Sequence, residues 1–234
     1  MGKFDWFWKA MGSTTERNNK KSKAVVADAH GLIEELSLLD DASLASAVAS
    51  TVRDGAIADK PRFLAGLSVA SQRTLGMTPF EVQNQAVLRL LEGDVIQMAT
   101  GEGKTLVGAM AATGFALQGK RVHLITVNNY LAARDAEWMR PLVEFFGLTV
   151  AAVTESSTRE ERVSAYRSDV IYAPVTEIGF DHLRDNQITS RDKTVQLPAD
   201  VALVDEADSV LVDEALVPLV LAGSEGSKQA TGQI

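Results

Sequence analysis

The feature that most constrains the fold is a short glycine-rich segment near the middle of the chain. Ala99-Thr100-Gly101-Glu102-Gly103-Lys104-Thr105 follows an apolar run, 94–98, and precedes a helical pattern that reaches about Leu117. Glycines at 101 and 103 let the backbone turn so that its N–H groups point inward, and the following helix directs its N-terminal dipole to the same place. A predicted strand, this turn and a predicted helix together indicate a loop that binds phosphate groups.

Apolar runs alternate with helical patterns after this loop. The predicted strands are 122–126, 148–153, 170–172 and 201–204, with 217–221 as a further candidate. Strands that alternate with helices favour a parallel, doubly wound sheet. Continuous apolar runs, rather than alternating ones, predict that helices cover both faces of the sheet. The predicted fold class is therefore α/β.

The chain before the loop has a different pattern. Apolar residues recur at helical spacing between residues 24 and 75, which predicts an all-helical N-terminal segment over 1–75. Thr78, Pro79 and Glu81 predict the start of the next helix, with a capping hydroxyl and a proline at its first position. We expect the main domain to span 76–223 and the Gly-, Ser- and Gln-rich stretch 224–234 to be a linker.

Two acids follow the predicted strand 201–204, at the end where parallel sheets bind their ligands. Asp205 is the candidate that holds Mg²⁺ through water, and Glu206 is the candidate that polarises an attacking water. Lys104 is expected to reach the β- and γ-phosphates of a nucleotide, and the Thr105 hydroxyl to bind Mg²⁺. These acids could instead form a solvated loop after a strand.

A third segment, Met77 to Gln83, comes just before the phosphate loop. The Gln83 amide can donate and accept together, which suits the N6 and N7 edge of adenine, and Phe80 or Met77 could pack against the base. The alternative is a capped helix with a glutamine on its surface.

Together these segments resemble the SecA family, the ATPase motor of bacterial protein export. Residues 126–137 look like the family's T-V-N-D-Y-L-A-x-R-D-A-E, and 179–186 are similar to its G-F-D-Y-L-R-D-N. Residues 213–223 parallel D-E-A-R-T-P-L-I-x-S-G, with Leu216 and Val217 in place of Arg-Thr. That replacement resembles the accessory SecA of actinobacteria.

The resemblance implies a RecA-like, P-loop NTPase domain that binds ATP and Mg²⁺. Its catalytic residues fall on Lys104, Asp205 and Glu206. The nucleotide contacts fall on Gln83 and on Gly101, Glu102, Gly103, Lys104 and Thr105, with Met77 and Phe80 beside the base. The metal contacts fall on Thr105 and Asp205. Arg184 and Asp185 match a stretch that we associate with coupling, although a surface ion pair would also explain them.

The resemblance also implies partners. They are the Sec membrane channel, preproteins, an anionic membrane surface, a second RecA-like domain that supplies arginines, and a second copy of the chain in a homodimer. The expected location is the cytoplasm and the cytoplasmic face of the cell membrane. Residues 224–234 are expected to lead toward a preprotein-binding domain. The aromatic and basic segment Met1 to Met11 could lie at a membrane surface or pack as a short helix on the domain.

Composition limits the alternatives. The net charge of −8, from 31 acidic and 23 basic residues, argues against non-specific binding of duplex DNA and predicts no specific nucleic-acid partner. No cysteine is present, which excludes disulfides and thiolate zinc sites. Asp205 to Asp208 spell D-E-A-D, so a DEAD-box RNA helicase is one alternative, although its P-T-R-E-L-A and S-A-T segments are missing. A catalytically inactive nucleotide-binding remnant is the other.

Overall fold

The structure of the chain, a computed structural model, describes residues 14–190, 193–213 and 216–220. The helices of this part are α1 (Thr14–Ser37), α2 (Asp41–Ala49), α3 (Lys60–Leu75), α4 (Glu81–Leu91), α5 (Lys104–Leu117), α6 (Asn129–Phe145), α7 (Arg159–Ala165) and α8 (Val175–Asn186). The strands are β1 (Val52–Arg53), β2 (Ala56–Ile57), β3 (Val122–Thr126), β4 (Val150–Ala152), β5 (Val170–Pro174) and β6 (Val201–Val204). A π-helical turn, Ser209–Asp213, follows β6.

Four parallel strands form the central sheet, in the order β4-β5-β3-β6. Strand β3 pairs with β5 on one side and with β6 on the other, so that Leu124 lies between Tyr172 and Leu203. The carboxyl ends of β3, β5 and β6 consequently meet at one edge, where Asp205 follows β6. The predicted parallel α/β sheet is confirmed, and the arrangement is consistent with a RecA-like α/β domain.

Both faces of the sheet are covered, as the continuous apolar runs predicted. Because successive side chains of a strand point to opposite faces, Leu124 and Tyr172 share one face and Ile171 and Ala173 share the other. The first face packs against α5 and α6. The second packs against Ala165 at the end of α7 and against the neighbouring Tyr166.

The N-terminal helices pack against the rest of the domain. Helices α1 to α6 contribute to one apolar core, which includes Leu36, Phe63, Val87 and Met110. The division of the chain at residue 75 stays a prediction, and the helices on its two sides share this core. No helix of the described part is long and apolar enough to cross a bilayer.

Two details of the helical region differ from the sequence-based expectation. An antiparallel hairpin, β1–β2, interrupts the predicted all-helical segment, and its turn is Asp54-Gly55, with φ of 52° and 71°. Such a pair is a known signal for a tight hairpin turn. Helix α4 begins at Glu81, and not at Pro79, because Thr78 Oγ1 donates to Gln72 Oε1 on α3 and caps nothing.

The strand predicted for residues 94–98 is wrong for the described structure, since the segment pairs with no strand of the described part. Ile96 and Met98 pack against the helical core, whereas Val95 is 94% exposed. The segment is thus an extended chain with one covered face.

The candidate strand 217–221 is also wrong over 217–220, which form no strand, and its last residue lies outside the described part. The predicted aromatic segment Met1 to Met11 and the predicted linker 224–234 lie outside the described residues too.

Candidate nucleotide-binding site

The glycine-rich loop has the backbone that its sequence requires. Gly101 and Gly103 have φ of 85° and 77°, in the left-handed region that glycine adopts at no steric cost. Gly103 is the N-terminal cap residue of α5, and no side chain of the described residues caps this end of the helix. The first N–H groups of α5 therefore have no side-chain acceptor, and they are oriented for an anion.

Lys104, the first residue of α5, folds back over the loop. Its Nζ donates to the carbonyl oxygens of Met98 at 3.4 Å and Ala99 at 3.5 Å. Both bonds lie at the long end of the range for an N–H···O contact, so they are weak. A phosphate oxygen can replace them at little cost, and the ammonium group is already at the loop.

Gln83 contacts the loop directly. Its Nε2 donates to the Glu102 carbonyl oxygen at 2.8 Å, and its Oε1 accepts from the Phe80 N–H at 2.8 Å. Gln83 is 6% exposed, so the alternative interpretation, a glutamine on the surface of a capped helix, is wrong. A Cβ at Gly103 would lie 2.3 Å from Gln83 Nε2, which means that this glycine is needed for the close approach as well as for its φ.

Phe80 and Met77, the two candidates for packing against the adenine base, differ in solvent exposure. The Phe80 side chain is exposed, at 72%, directly before α4. Met77 is half-buried and packs against the helical core. Phe80 is therefore the more accessible of the two to a stacking base, whereas Met77 packs into the helical core.

The two acids lie at the end of β6. The Asp205 N–H donates to the Ile125 carbonyl oxygen at 2.9 Å, which ties the acidic turn to β3, and Asp205 Oδ1 accepts from the Glu206 N–H at 3.0 Å. Glu206 is exposed and has a φ of 54°, which is unusual for a residue with a side chain. Strained backbone of this kind clusters at functional sites.

A metal ion would need ligands from more than one element. No cluster of three or more His, Asp or Glu side chains in the described part could hold a metal. Helix α5 lies against β6, and Thr105 is half-buried in the first turn of that helix. The hydroxyl of Thr105, waters held by Asp205 and phosphate oxygens are the oxygen donors that Mg²⁺ prefers. The residues present therefore fit a metal that arrives with a nucleotide.

Only some of the predicted site residues are in direct contact with one another. Gln83 and the loop are in contact, while neither acid forms a hydrogen bond or an ion pair with Lys104 among the described residues. Arg184 and Asp185 do not pair with each other. Arg184 donates to Asp181, and Asp185 accepts from the N–H groups of Val195 and Gln196, so the alternative of a surface ion pair between them is wrong.

A comparison with models of known protein families shows to which family the chain belongs. The SecA DEAD-like domain matches residues 7–234, nearly the whole chain. The chain belongs to the SecA family. Curated proteins of the family agree: the chain is 62% identical over its full length to "Protein translocase subunit SecA 2" of Corynebacterium efficiens, and 61% identical to the protein of that name in Corynebacterium glutamicum. The protein of that name in Mycolicibacterium smegmatis is 52% identical over 97% of the chain.

The match covers only a part of these SecA relatives. The chain spans 31% of the length of the two corynebacterial proteins and 29% of the mycolicibacterial one. The resemblance to the accessory SecA of actinobacteria, inferred from Leu216 and Val217, is confirmed by these comparisons.

Sequence reasoning missed two polar residues close to the acidic turn of this SecA domain, Asp135 and Tyr172. Asp135 is 3% exposed and Tyr172 is fully buried. The available signal was their pattern: Asp135 lies between Ala132 and Ala136 on the apolar face of α6, where a charged residue is unexpected.

Proposed function

We propose that this domain is the first nucleotide-binding half of a SecA-type protein translocase motor. It binds ATP with Mg²⁺, and hydrolysis of the ATP is coupled to the export of preproteins. Membership of the SecA family supports this proposal, as does the name of its relatives, protein translocase subunit SecA 2. Because the chain spans 31% of those relatives, we expect the activity of a complete motor to require parts that they carry beyond this segment.

The proposed roles of the residues follow from their positions. Lys104 binds the β- and γ-phosphates together with the backbone of Gly101, Glu102 and Gly103. Thr105 and, through water, Asp205 hold Mg²⁺, which neutralises phosphate charge when bound. Glu206 orients and polarises the attacking water, and its exposed side chain is accessible to it. Gln83 recognises adenine, with Phe80 and Met77 beside the base.

The observation that carries the proposal is the junction of Gln83 with the phosphate loop. The Gln83 amide has two N–H donors and two acceptor lone pairs, and one of each binds a backbone group at 2.8 Å. An adenine edge offers an acceptor and a donor that complement the remaining N–H and lone pair. The base and the phosphates of a single nucleotide would then be recognised by neighbouring residues.

The proposed partners follow from the family. They are the Sec membrane channel, preproteins, a second RecA-like domain that supplies arginines to the γ-phosphate, an anionic membrane surface and a second copy of the chain. The proposed location is the cytoplasm and the cytoplasmic face of the membrane. An arginine from a second domain can be worth about 10³ to 10⁵ in rate, so we expect slow turnover by this chain alone.

Calorimetric titration with ATP and Mg²⁺ tests the proposal. The chain, Lys104→Ala and the control Lys23→Ala, an exposed lysine of α1, are compared in one buffer. We expect the chain and Lys23→Ala to bind equally, and Lys104→Ala to lose at least about tenfold in affinity, since a charge-assisted bond is worth about 1.5 to 3 kcal/mol. Equal binding by all three proteins, or none by the parent chain, would contradict the proposed site.

The helicase alternative has no observation of its own beyond the letters of residues 205–208. Single-stranded RNA added to the same titration distinguishes the two functions. Salt-dependent RNA binding that accelerates ATP hydrolysis would favour the helicase, and we expect none from a chain with a net charge of −8.

A further inference from the structure

Helix α6 presents a charged residue to the sheet. Asp135 is 3% exposed, and its neighbours on the same face, Ala132, Ala136 and Met139, are buried in the apolar core. Its partner is Arg134, whose Nε donates to Oδ1 at 2.8 Å and whose Nη2 forms an ion pair with the same oxygen at 2.7 Å. No described residue donates to its Oδ2. A carboxylate in apolar surroundings is costly unless its oxygens are hydrogen-bonded or hydrated, and Asp135 Oδ2 is not among the atoms that are both buried and without a partner, so a water can reach it.

A hydroxyl without a partner lies beneath α6. Tyr172 on β5 is fully buried against α6 and α5, and its Oη has no hydrogen-bond partner in the described part of the chain. A buried hydroxyl that makes no hydrogen bond loses its solvation without compensation, and such groups are rare in native proteins. The described protein atoms supply no hydrogen-bond acceptor for this hydroxyl, so the acceptor must be something else.

The register of the sheet places Asp205 on the same side. Tyr172, Leu124 and Leu203 lie in one row across β5, β3 and β6. Asp205 comes two residues after Leu203, just past the end of β6 at Val204, and its N–H still bonds to the Ile125 carbonyl oxygen of β3, so it continues the direction of the strand. The face that carries Tyr172 is the one that α6 covers with Asp135. Asp205 thus stands at the rim of this face, one layer above the row that contains Tyr172.

The electrostatics agree with this placement. Burial raises the pKa of Asp135 most strongly, Arg134 lowers it, and the charge of Asp205 raises it further. Burial also raises the pKa of Tyr172, with further contributions from the charges of Asp135 and Asp205. Each of the three groups therefore lies within electrostatic reach of another, although no direct bond joins them.

We propose that Asp135 and Tyr172 are positioning residues for Asp205, joined to it by a buried water that the Tyr172 hydroxyl donates to and that the two carboxylates hold. This inference rests on the proposed Mg²⁺–ATP site. The water gives Tyr172 Oη the acceptor that it lacks and gives Asp135 Oδ2 a donor. The water also fixes the orientation of the Asp205 carboxylate. The negative charge of Asp135 adds to the negative field at the position of the metal. Partners of this kind behind a metal ligand commonly change metal affinity by about 10- to 100-fold.

Two variants and their double mutant test the proposal, with a matched pair as control. The variants are Tyr172→Phe and Asp135→Asn. The controls are Tyr166→Phe and Asp181→Asn, because that tyrosine and aspartate are equally buried and are bonded at 2.9 Å on the opposite face of the sheet. Each protein is unfolded in urea, and its ATP affinity is measured over a Mg²⁺ titration and in EDTA.

We expect Tyr172→Phe to lower the urea midpoint, since a hydroxyl that bridges to a water contributes to stability whereas a hydroxyl without any partner does not. The losses in Tyr172→Phe and Asp135→Asn should not add in the double mutant, as is typical of groups in one network. Asp135→Asn should raise the Mg²⁺ concentration needed for tight ATP binding about tenfold and leave binding in EDTA unchanged. The control pair should lower the urea midpoint without changing the Mg²⁺ requirement.

Three results would overturn the inference: an unchanged or higher midpoint in Tyr172→Phe, additive losses in the double mutant, or an Mg²⁺ requirement that the variants and the controls change alike. If the parent chain binds ATP with no dependence on Mg²⁺, the proposed metal site fails, and the positioning role fails with it. The urea measurements then still decide separately whether Tyr172 and Asp135 belong to one network.

Discussion

The phosphate loop requires glycine at position 103 for two physical reasons, and the loss of stability in Gly103→Ala should be the sum of both. The first reason is the backbone, with φ of 77°. An alanine in the left-handed region costs about 1 to 2 kcal/mol. The second reason is the neighbour, because the new Cβ would lie 2.3 Å from Gln83 Nε2. That amide is the flexible end of its side chain, so it can rotate away, but it then loses the bond to the Glu102 carbonyl oxygen.

The chain provides a matched control in the same loop. Gly101 has φ of 85°, and a Cβ there would meet no atom within 4 Å. Gly101→Ala therefore carries the backbone strain alone, about 1 to 2 kcal/mol. Gly103→Ala carries the same strain plus a lost hydrogen bond of about 1 kcal/mol. The expected loss in the free energy of unfolding is about 2 to 3 kcal/mol for Gly103→Ala.

Urea unfolding of five proteins measures this difference. They are the parent chain, Gly101→Ala, Gly103→Ala and Gly103→Ala combined with Gln83→Ala, with Gln83→Ala alone as the reference for the last. In the Gln83→Ala background the extra loss at Gly103 should disappear, leaving the strain. Equal losses at the two glycines, or an extra loss that persists without Gln83, would refute the contact between Gln83 and the loop.

Two further predictions concern buried charge and pH. Arg162→Met should reduce the free energy of unfolding by about 3 to 5 kcal/mol in urea, because the buried Glu177 carboxylate loses its ion pair and the buried Asp181 carboxylate loses one of its partners. Arg62→Met, which removes a half-buried arginine from an ion pair with the exposed Glu35, should cost about 1 kcal/mol or less. Burial lowers the pKa of His123 in the fold below its ordinary 6.5, with a further contribution from Arg121. The unfolded chain therefore binds the proton first, and stability should fall as pH drops through 6.5. His123→Asn should flatten that fall; a slope equal to that of the parent chain would contradict the assignment.

The positions of elements in this fold could be predicted well where local signals are strong. Strands β3 and β6 have the predicted bounds, and α5 begins at Lys104 as expected, because a glycine-rich turn and continuous apolar runs determine them locally. The hairpin β1–β2 had a signal in Asp54-Gly55 that the surrounding helical pattern obscured. Segment 94–98 could not be assigned correctly, since a strand depends on its pairing partner and apolar content does not reveal one.

The candidate site divides in the same way. Loop residues and acids are contiguous in sequence, so their chemistry could be proposed from spacing. The contact between Gln83 and Glu102 spans 19 residues and depends on how α4 packs beside the loop, which no local pattern encodes. Asp135 and Tyr172 lie 37 residues apart on different elements, and the packing of α6 on the sheet, together with the register of the strands, brings them near Asp205.

Hydrogen exchange with and without Mg²⁺–ATP tests the central claim most directly, because it reports where the nucleotide binds. At a ligand concentration of 100 times Kd, binding stabilises the bound form by about 2.7 kcal/mol, so amides released only by opening of the site should exchange about 100-fold more slowly. We expect this slowing at residues 101–106, at 80–83 and at the turn after β6, with little change on α1. Slowing elsewhere with none at the loop would contradict the account.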